Sequence, residues 1–211
     1  MKRVAFLFDP SNDWLAEYFS KAFYSSKKYE FYKHHDDENV RGYDIVFVLG
    51  YTKLLKGKIF DSNKLLLLVH ESDLPNGRGF SPIQWQILQN INDITVCLLK
   101  VSSEVDTGDI YKKMTMTLDG TELYDEIRMK QAEITFKLIN YFLTNYPNVD
   151  FKKQEGKSTF NRRRKPSDSK LNIDQTIRNQ FNLLRICNNK DWPAFFEIHG
   201  VKYKLKIEKL K

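Results

Sequence analysis

The sequence predicts an α/β domain with a mainly parallel sheet, followed by a small α+β region. Two apolar runs, DIVFVL at residues 44–49 and KLLLLV at residues 64–69, are separated by a polar segment, which suits strands of a sheet covered on both faces. Near residue 150 the composition becomes polar and basic. We therefore predict a body over residues 1–150 and a C-terminal region over residues 151–211.

Each element follows from its local pattern. In the body, strands are predicted at residues 2–8, 29–32 (a short edge strand), 44–49, 64–69, 95–100 and 111–118, and helices at residues 13–23, 82–89 and 123–143. The last helix follows a capping box at residues 119–122 and carries an apolar stripe. In the C-terminal region we predict a helix at residues 174–187 and a hairpin of strands 194–198 and 201–207 around His199 and Gly200.

Composition limits the class of protein. The chain has 211 residues, 41% of them hydrophobic, which is enough for one good core and a small appendage. No apolar run is long enough to cross a membrane. Cys97 and Cys187 lie in apolar surroundings without any C-x-x-C motif, so we expect buried free thiols, a cytoplasmic protein and no metal site.

Charge and motifs narrow the partners. The net charge is +7, and the positive excess lies in residues 151–211, whereas the first 150 residues are slightly acidic. This split indicates a basic tail that meets an anion. The first strand leads into Asp-Pro-Ser-Asn rather than glycines, and the sequence holds neither G-x-G-x-x-G nor a P-loop. Tight dinucleotide binding and NTP hydrolysis are therefore disfavoured.

The chemistry is predicted between His70 and Asp106. His70 ends an apolar strand, and ligands of open α/β sheets bind at the carboxyl ends of strands. A polar loop with two glycines follows it, which allows close approach of the backbone to a ligand. Asp106 lies in the turn Asp-Thr-Gly-Asp at residues 106–109. An imidazole and a carboxylate that meet there can manage protons near neutral pH.

Together these segments resemble the signature of the N10-formyltetrahydrofolate-dependent formyltransferases. That family pattern is roughly N-x-H-x-S-x-L-P, then R-G, P-I and W, then D-T-G-D, and the chain supplies all of it except the first letter. The resemblance covers about residues 1–145, with a catalytic domain of Rossmann type that methionyl-tRNA formyltransferases share. The tail is similar to the C-terminal region of nucleotide-sugar N-formyltransferases.

The resemblance implies a set of site residues. His70 and Asp106 are expected to be catalytic, and a folate site is expected at Arg78, Gly79, Phe80, Pro82, Ile83, Leu99, Val101 and Val105. The Asn of the family pattern, a donor to the forming oxyanion, is replaced by Leu68. Losing one such donor typically costs about 10²–10³ in rate. Ser72, Asn76, a backbone N–H of the loop and a protonated His70 are the candidate replacements.

The tail suggests which amine accepts the formyl group. Its roughly 60 residues are too few for a tRNA-binding domain, so we expect a UDP- or dTDP-linked amino sugar as acceptor. A 4-amino-4,6-dideoxy sugar of surface-polysaccharide or pseudaminic-acid-type synthesis is the acceptor type that the resemblance favours. The expected acceptor-binding residues are Ser11, Asn12, Trp85, Arg163, Arg185, Asn188 and Trp192.

Three alternatives stay open. The same reaction on methionyl-tRNA or on glycinamide ribonucleotide is compatible with the catalytic pattern. A non-catalytic RNA-binding module would explain the basic aromatic tail, but it would leave His70 and Asp106 without a role. We therefore expect folate and a nucleotide sugar as partners, without nucleic acid or membrane, and a homodimer by resemblance alone.

Overall fold

The computed structural model describes residues 1–10, 14–22, 26–55 and 57–210. The strands in these residues are β1 (Lys2–Phe8), β2 (Tyr29–His34), β3 (Ile45–Leu49), β4 (Leu66–His70), β5 (Arg78–Gly79), β6 (Asp93–Lys100), β7 (Ile110–Thr117), β8 (Phe160–Asn161), β9 (Ala194–Ile198) and β10 (Val201–Leu205). The α-helices are α1 (Ala16–Ala22), α2 (Lys58–Asp61), α3 (Pro82–Leu88), α4 (Tyr124–Asn145) and α5 (Ile177–Arg185). Short 3-10 turns span Asp37–Asn39 and Pro166–Ser169.

Six strands form the central sheet, in the order β2-β1-β3-β4-β6-β7. The first four run parallel, and β6 is antiparallel to both β4 and β7. The predicted mainly parallel sheet is therefore confirmed. Strands β6 and β7 are antiparallel because the loop that joins them, residues 101–109, is too short for the crossover that parallel neighbours need.

Both faces of the sheet are buried. Successive side chains of a strand point to opposite faces, so neighbouring residues of β1 belong to two different core clusters. Phe6 on β1 stacks against Phe47 on β3, and Phe47 meets Phe142 of α4 edge-on. Leu7, the next residue of β1, belongs to the second core cluster with Val46. This two-sided burial explains why the strands are continuous apolar runs rather than alternating ones.

Helix α4 covers one face of the sheet and begins later than its predicted cap. The cap was expected at residues 119–122, but Glu122 belongs to a turn before the helix, where its carboxylate accepts the N–H groups of Asp119 (2.8 Å) and Gly120 (3.0 Å). The helix starts at Tyr124, and Glu126 accepts the Leu123 N–H at 2.8 Å. A capping interaction is thus present at the start of α4, but Glu126 makes it rather than Glu122, one turn later than predicted.

The C-terminal region contains the predicted helix and hairpin, as α5, β9 and β10. His199 (φ 51°) and Gly200 (φ 76°) connect β9 to β10, and a two-residue hairpin turn with both φ values positive matches the twist of its strands. The boundary near residue 150 stays a prediction.

A strap over residues 152–162 was not predicted to hold any element. It begins where Ile110 and Lys152 exchange backbone hydrogen bonds of 2.7 and 2.8 Å. It then places β8 beside β5 in a parallel pair. The strap therefore runs along the loop that follows His70.

None of the helices in the described ranges combines the length and the apolar character needed to cross a bilayer. Cys97 and Cys187 are free and buried. Burial raises the pKa of the Cys97 thiol to about 11, and this thiol donates to the Ser72 carbonyl at 3.1 Å. Cys97 is therefore held as a neutral donor beneath the loop after β4.

Candidate active site

His70 lies at the carboxyl end of β4 and is 6% exposed. Its Nε2 lies 2.9 Å from the Gly77 carbonyl, which can only accept, so Nε2 carries a hydrogen. Its Nδ1 lies 3.5 Å from Asp106 Oδ2, within ion-pair range but longer than a strong hydrogen bond. A doubly protonated ring can donate to both oxygens, and a neutral ring to only one of them.

The backbone fixes Asp106. Its φ of 56° is in the left-handed region, which Asp tolerates better than most residues. The Gly79 N–H donates to Asp106 Oδ2 at 2.8 Å, so this carboxylate oxygen faces both the loop after β4 and the imidazole. The structure thus brings together the two residues that the sequence singled out.

Gly108 makes this turn possible. A Cβ at Gly108 would lie 1.9 Å from the Lys100 carbonyl oxygen, a backbone atom at the end of β6. We expect Gly108→Ala to destabilise the fold by about 1–3 kcal/mol, the usual cost of overpacking, and to displace Asp106. Urea unfolding measures the first effect. Ser103→Ala, at an exposed position of the same loop, is the control. Equal losses in the two variants would contradict the steric role of Gly108.

The strap supplies residues that the sequence did not reveal. Gln154 Nε2 donates to the carbonyls of Asp106 (2.7 Å) and Gly108 (2.9 Å), and its Oε1 accepts from Arg78 Nη2 at 2.7 Å. Thr159 Oγ1 accepts the Gly77 N–H at 2.8 Å. The loop after β4 and the turn at residues 106–109 are therefore both tied to one segment that lies about 50 to 80 residues away in sequence. No local pattern marks such contacts.

A cleft of about 420 Å³ opens beside His70 and Asp106. Six of the eight predicted folate-site residues line it, namely Gly79, Phe80, Pro82, Ile83, Val101 and Val105. The other two predicted residues, Arg78 and Leu99, do not line the cleft. Arg78 turns to Gln154 of the strap, and Leu99 is a fully buried core residue paired with Leu68.

Leu68 lines the cleft. Ser72 and Asn76, whose side chains were predicted as substitutes for the missing oxyanion donor, do not line it. Ser72 is 3% exposed and packs against Gly77, and Asn76 points to solvent. The prediction that either side chain serves the oxyanion from within the cleft is therefore not supported. The side chains in the lining that can donate hydrogen bonds are those of Trp14, Tyr51, Thr52, Lys53, His70, Ser81, Gln84, Ser102, Arg128, Gln131 and Arg163.

The three consecutive arginines of the tail have different roles. Arg162 forms a bidentate pair with Asp168 at 2.6 and 2.7 Å, which holds the pKa of that carboxyl well below its usual range. Arg164 donates to the Asp168 carbonyl at 2.9 Å. Arg163 is exposed, lies over the Phe80 ring at 4.5 Å, and is the one of the three that lines the described cleft.

Trp85, Asn188 and Trp192, three further predicted acceptor residues, do not line this cleft. Trp85 donates its Nε1–H to the Arg162 carbonyl at 3.0 Å and anchors the strap. The Asn188 side chain accepts the Lys190 N–H at 2.7 Å, and Asn188 lines a second cavity of about 630 Å³. Trp192 is 52% exposed and lines neither cavity. Ser11 and Asn12 fall outside the described residues.

Arg185 was predicted to bind the acceptor, and this prediction was wrong because the residue is fully buried. Its Nη2 donates to Asn92 Oδ1 at 2.6 Å, its Nε donates to Asn182 Oδ1 at 2.8 Å, and its Nη1 lies 3.7 Å from Glu122 Oε2. Arg185 therefore fastens α5 to the body.

A hydrogen-bonded chain of polar side chains also lines the cleft, and it was not predicted from the sequence. Glu71, directly after His70, lines the cleft and accepts a hydrogen bond from Gln131 of α4. Gln131 in turn accepts from Arg128 Nη1 at 2.7 Å, and the Arg128 guanidinium lies over the Trp14 ring at 4.6 Å. Gln131 is a buried polar residue on the apolar side of α4, and that position was the available signal.

Fold and site together define an α/β protein with an imidazole–carboxylate pair in a cleft at the carboxyl end of a central strand. A family model described as Formyl transferase matches residues 10–139. The chain belongs to the formyl transferase family.

Comparison with known proteins agrees with this assignment. The chain is 30% identical over 131 residues to methionyl-tRNA formyltransferase of Rickettsia prowazekii, covering 61% of the chain and 43% of that relative. It spans about half or less of the length of the curated relatives that it matches. In fold it is similar to methionyl-tRNA formyltransferase from Clostridium thermocellum (TM-score 0.81, 23% identity, 100% of this chain and 94% of that one). It is also similar to a 4-N formyltransferase from Francisella tularensis (TM-score 0.71, 19% identity, 99% of each chain).

Proposed function

We propose that the chain transfers a formyl group from N10-formyltetrahydrofolate to the amine of a UDP- or dTDP-linked amino sugar. The observation that carries the proposal is the His70–Asp106 pair, 3.5 Å apart and nearly buried, at a cleft open to ligands. The apolar lining by Phe80, Val101 and Val105 fits a planar pterin ring. Bound there, the folate would supply an activated formyl carbon.

The residues of the chain can serve two needs of this reaction. As the amine nitrogen bonds to the formyl carbon, negative charge grows on the formyl oxygen and a proton must leave the nitrogen. The bond between that carbon and folate N10 must then break, and N10 must take up a proton. The His70 imidazole can accept that proton or, when charged, stabilise the oxygen. Asp106 would stabilise the charged ring and hold its orientation, and the strap would hold Asp106 through Gln154.

Two acceptors have specific support. The end-to-end similarity to a 4-N formyltransferase, with α5 and a hairpin in the tail, supports an amino sugar, although the chain also matches a methionyl-tRNA formyltransferase over 94% of that chain. The curated relatives are methionyl-tRNA formyltransferases, which makes methionyl-tRNA the second candidate. Arg163, exposed at the cleft, could bind a phosphate of either acceptor.

A formyl-transfer assay tests the proposal. The purified chain is given N10-formyltetrahydrofolate and, in separate reactions, UDP- and dTDP-linked amino sugars, methionyl-tRNA and glycinamide ribonucleotide. We expect turnover with a nucleotide sugar and little with the other amines. Turnover with methionyl-tRNA alone would overturn the choice of acceptor. Tight, steeply salt-dependent RNA binding without turnover would overturn the enzyme itself.

Leu68→Asn tests the missing donor. Because an amide N–H at this position would face the cleft, we expect kcat to rise by up to about 10²-fold, the usual value of one oxyanion donor. Leu68→Asp has the same shape without the N–H and serves as the control. An unchanged kcat in Leu68→Asn would contradict this expectation and mean that another donor already serves the oxygen.

A further inference from the structure

Two opposite charges share the cleft without pairing to each other or to any other charge among the described residues. These are the Glu71 carboxylate and the Arg128 guanidinium. The neutral amide of Gln131 stands between them, donating to Glu71 Oε1 and accepting from Arg128 Nη1. Neither charged group lies within 4.0 Å of an oppositely charged partner in the described part of the chain.

Both groups are held rather than loose. Arg128 lies 4.6 Å from the Trp14 ring and 5.0 Å from the Tyr124 ring, and its Nε is buried without a hydrogen-bond partner among the described residues. The Glu71 carbonyl accepts from Gln86 Nε2 at 2.7 Å, which fixes the backbone next to His70. Unpaired charges that are partly removed from water cost free energy. A ligand that carries both complementary charges would recover it.

The remaining charged groups of the lining do not fill this role. Lys53, Glu104 and Arg163 are exposed, and Asp106 is committed to His70 and to the Gly79 N–H. Glu71 is the carboxylate next in sequence to the imidazole. Arg128 is the half-buried guanidinium of the described lining, and the Gln131 side chain links it to Glu71 through hydrogen bonds.

We propose that Glu71 binds the ammonium form of the acceptor amine and that Arg128 binds a phosphate group of the same acceptor. This assignment rests on the proposed function and specifies its acceptor: the molecule must carry an amine and a phosphate at the spacing that Gln131 sets. Glu71 would hold the nitrogen beside His70: the bound ammonium first loses one proton to solvent, which frees its lone pair, and His70 takes the second proton as the nitrogen bonds to the formyl carbon. Bonding through the guanidinium would orient the rest of the acceptor toward α4.

Binding without the formyl donor separates the two roles. The probes are the best nucleotide sugar of the acceptor panel, its analogue with hydroxyl in place of the amine, and inorganic pyrophosphate, each titrated calorimetrically. We expect the wild type to prefer the amine to the hydroxyl analogue by about 10- to 100-fold, the value of one charge-assisted hydrogen bond. Glu71→Gln should abolish that preference and leave pyrophosphate binding unchanged.

Arg128→Gln should instead weaken pyrophosphate, amine and hydroxyl analogue by the same factor of about 10 or more. Glu17→Gln and Arg178→Gln, both exposed, are the matched controls. Glu71→Asp and Arg128→Lys keep the charges, and we expect them to recover part of the effect. Thermal unfolding of every variant separates loss of binding from loss of fold.

The outcomes are distinguishable. If the wild type formylates no amine in the panel, the proposed function is overturned. If it formylates a nucleotide sugar but Glu71→Gln keeps the amine preference, the role of Glu71 is overturned and the function stands. Unchanged pyrophosphate binding in Arg128→Gln overturns the phosphate site. Weakened turnover of methionyl-tRNA in Arg128→Gln, with nucleotide-sugar turnover intact, assigns the phosphate to RNA and overturns the proposal.

Discussion

Replacing His70 by Asn is expected to lower kcat/KM for formyl transfer by about 10²–10⁴-fold, the range of general acid–base catalysis. The imidazole lies between the Gly77 carbonyl and Asp106, and Asn can still donate to one of these oxygens. The fold should therefore survive while the proton path is lost. Steady-state kinetics with the acceptor found in the panel measures the effect, and the midpoint of urea unfolding reports the fold.

His199→Asn is the control for His70→Asn. His199 is exposed in the hairpin turn with a φ of 51°, a conformation that Asn accepts well. We expect this variant to keep wild-type kinetics. A rate within a few-fold of wild type for His70→Asn would mean that the pair at β4 does not carry the chemistry, whatever the family resemblance implies.

Replacing Arg185 by Met is expected to lower the free energy of unfolding by about 3 kcal/mol, the lower end of the range for breaking a buried ion pair. The guanidinium is fully buried, donates to Asn92 and Asn182, and lies 3.7 Å from Glu122. Met would roughly fill the space but leave both amide oxygens without their donor. The loss stays at the lower end because Lys130 still pairs with Glu122.

Urea unfolding of Arg185→Met measures this loss, with Arg178→Met, an exposed position on the same helix, as the control. Burial lowers the pKa of Arg185, and the neighbouring Glu122 opposes this shift. A loss below about 1 kcal/mol would contradict the role of Arg185 in fastening α5 to the body.

The elements that the sequence predicted are those with a strong local period. Residues 44–49 and 64–69 read as buried strands because both faces of the sheet are covered, and the model places β3 and β4 there. The hairpin around His199 and Gly200 was equally clear. Helix α4 begins at Tyr124, one residue after its predicted start, but its capping box was placed one turn early because Glu122 and Glu126 both offer capping chemistry.

The candidate site was predicted in part. His70 and Asp106 could be paired because the loop after His70 and the turn at residues 106–109 together resemble the formyltransferase signature, whereas the turn alone is a weak motif. Trp85 and Arg185 were assigned to the acceptor from residue type alone. Their contacts with Arg162 and Asn92 show why residue type is insufficient: aromatic and guanidinium groups anchor segments as readily as they bind ligands.

The sequence by itself predicted the strands of the sheet, the hairpin and the candidate pair of His70 and Asp106. The strands and the hairpin depend on periodicity and on turn chemistry within a few residues, and the pair depends on the resemblance to a family signature. Only the tertiary structure decided that the strap holds Asp106 through Gln154, that Arg185 is buried, and that Glu71 and Arg128 face the same cleft. These contacts join residues dozens of positions apart. Their geometry is set by how the chain packs, which no local pattern encodes.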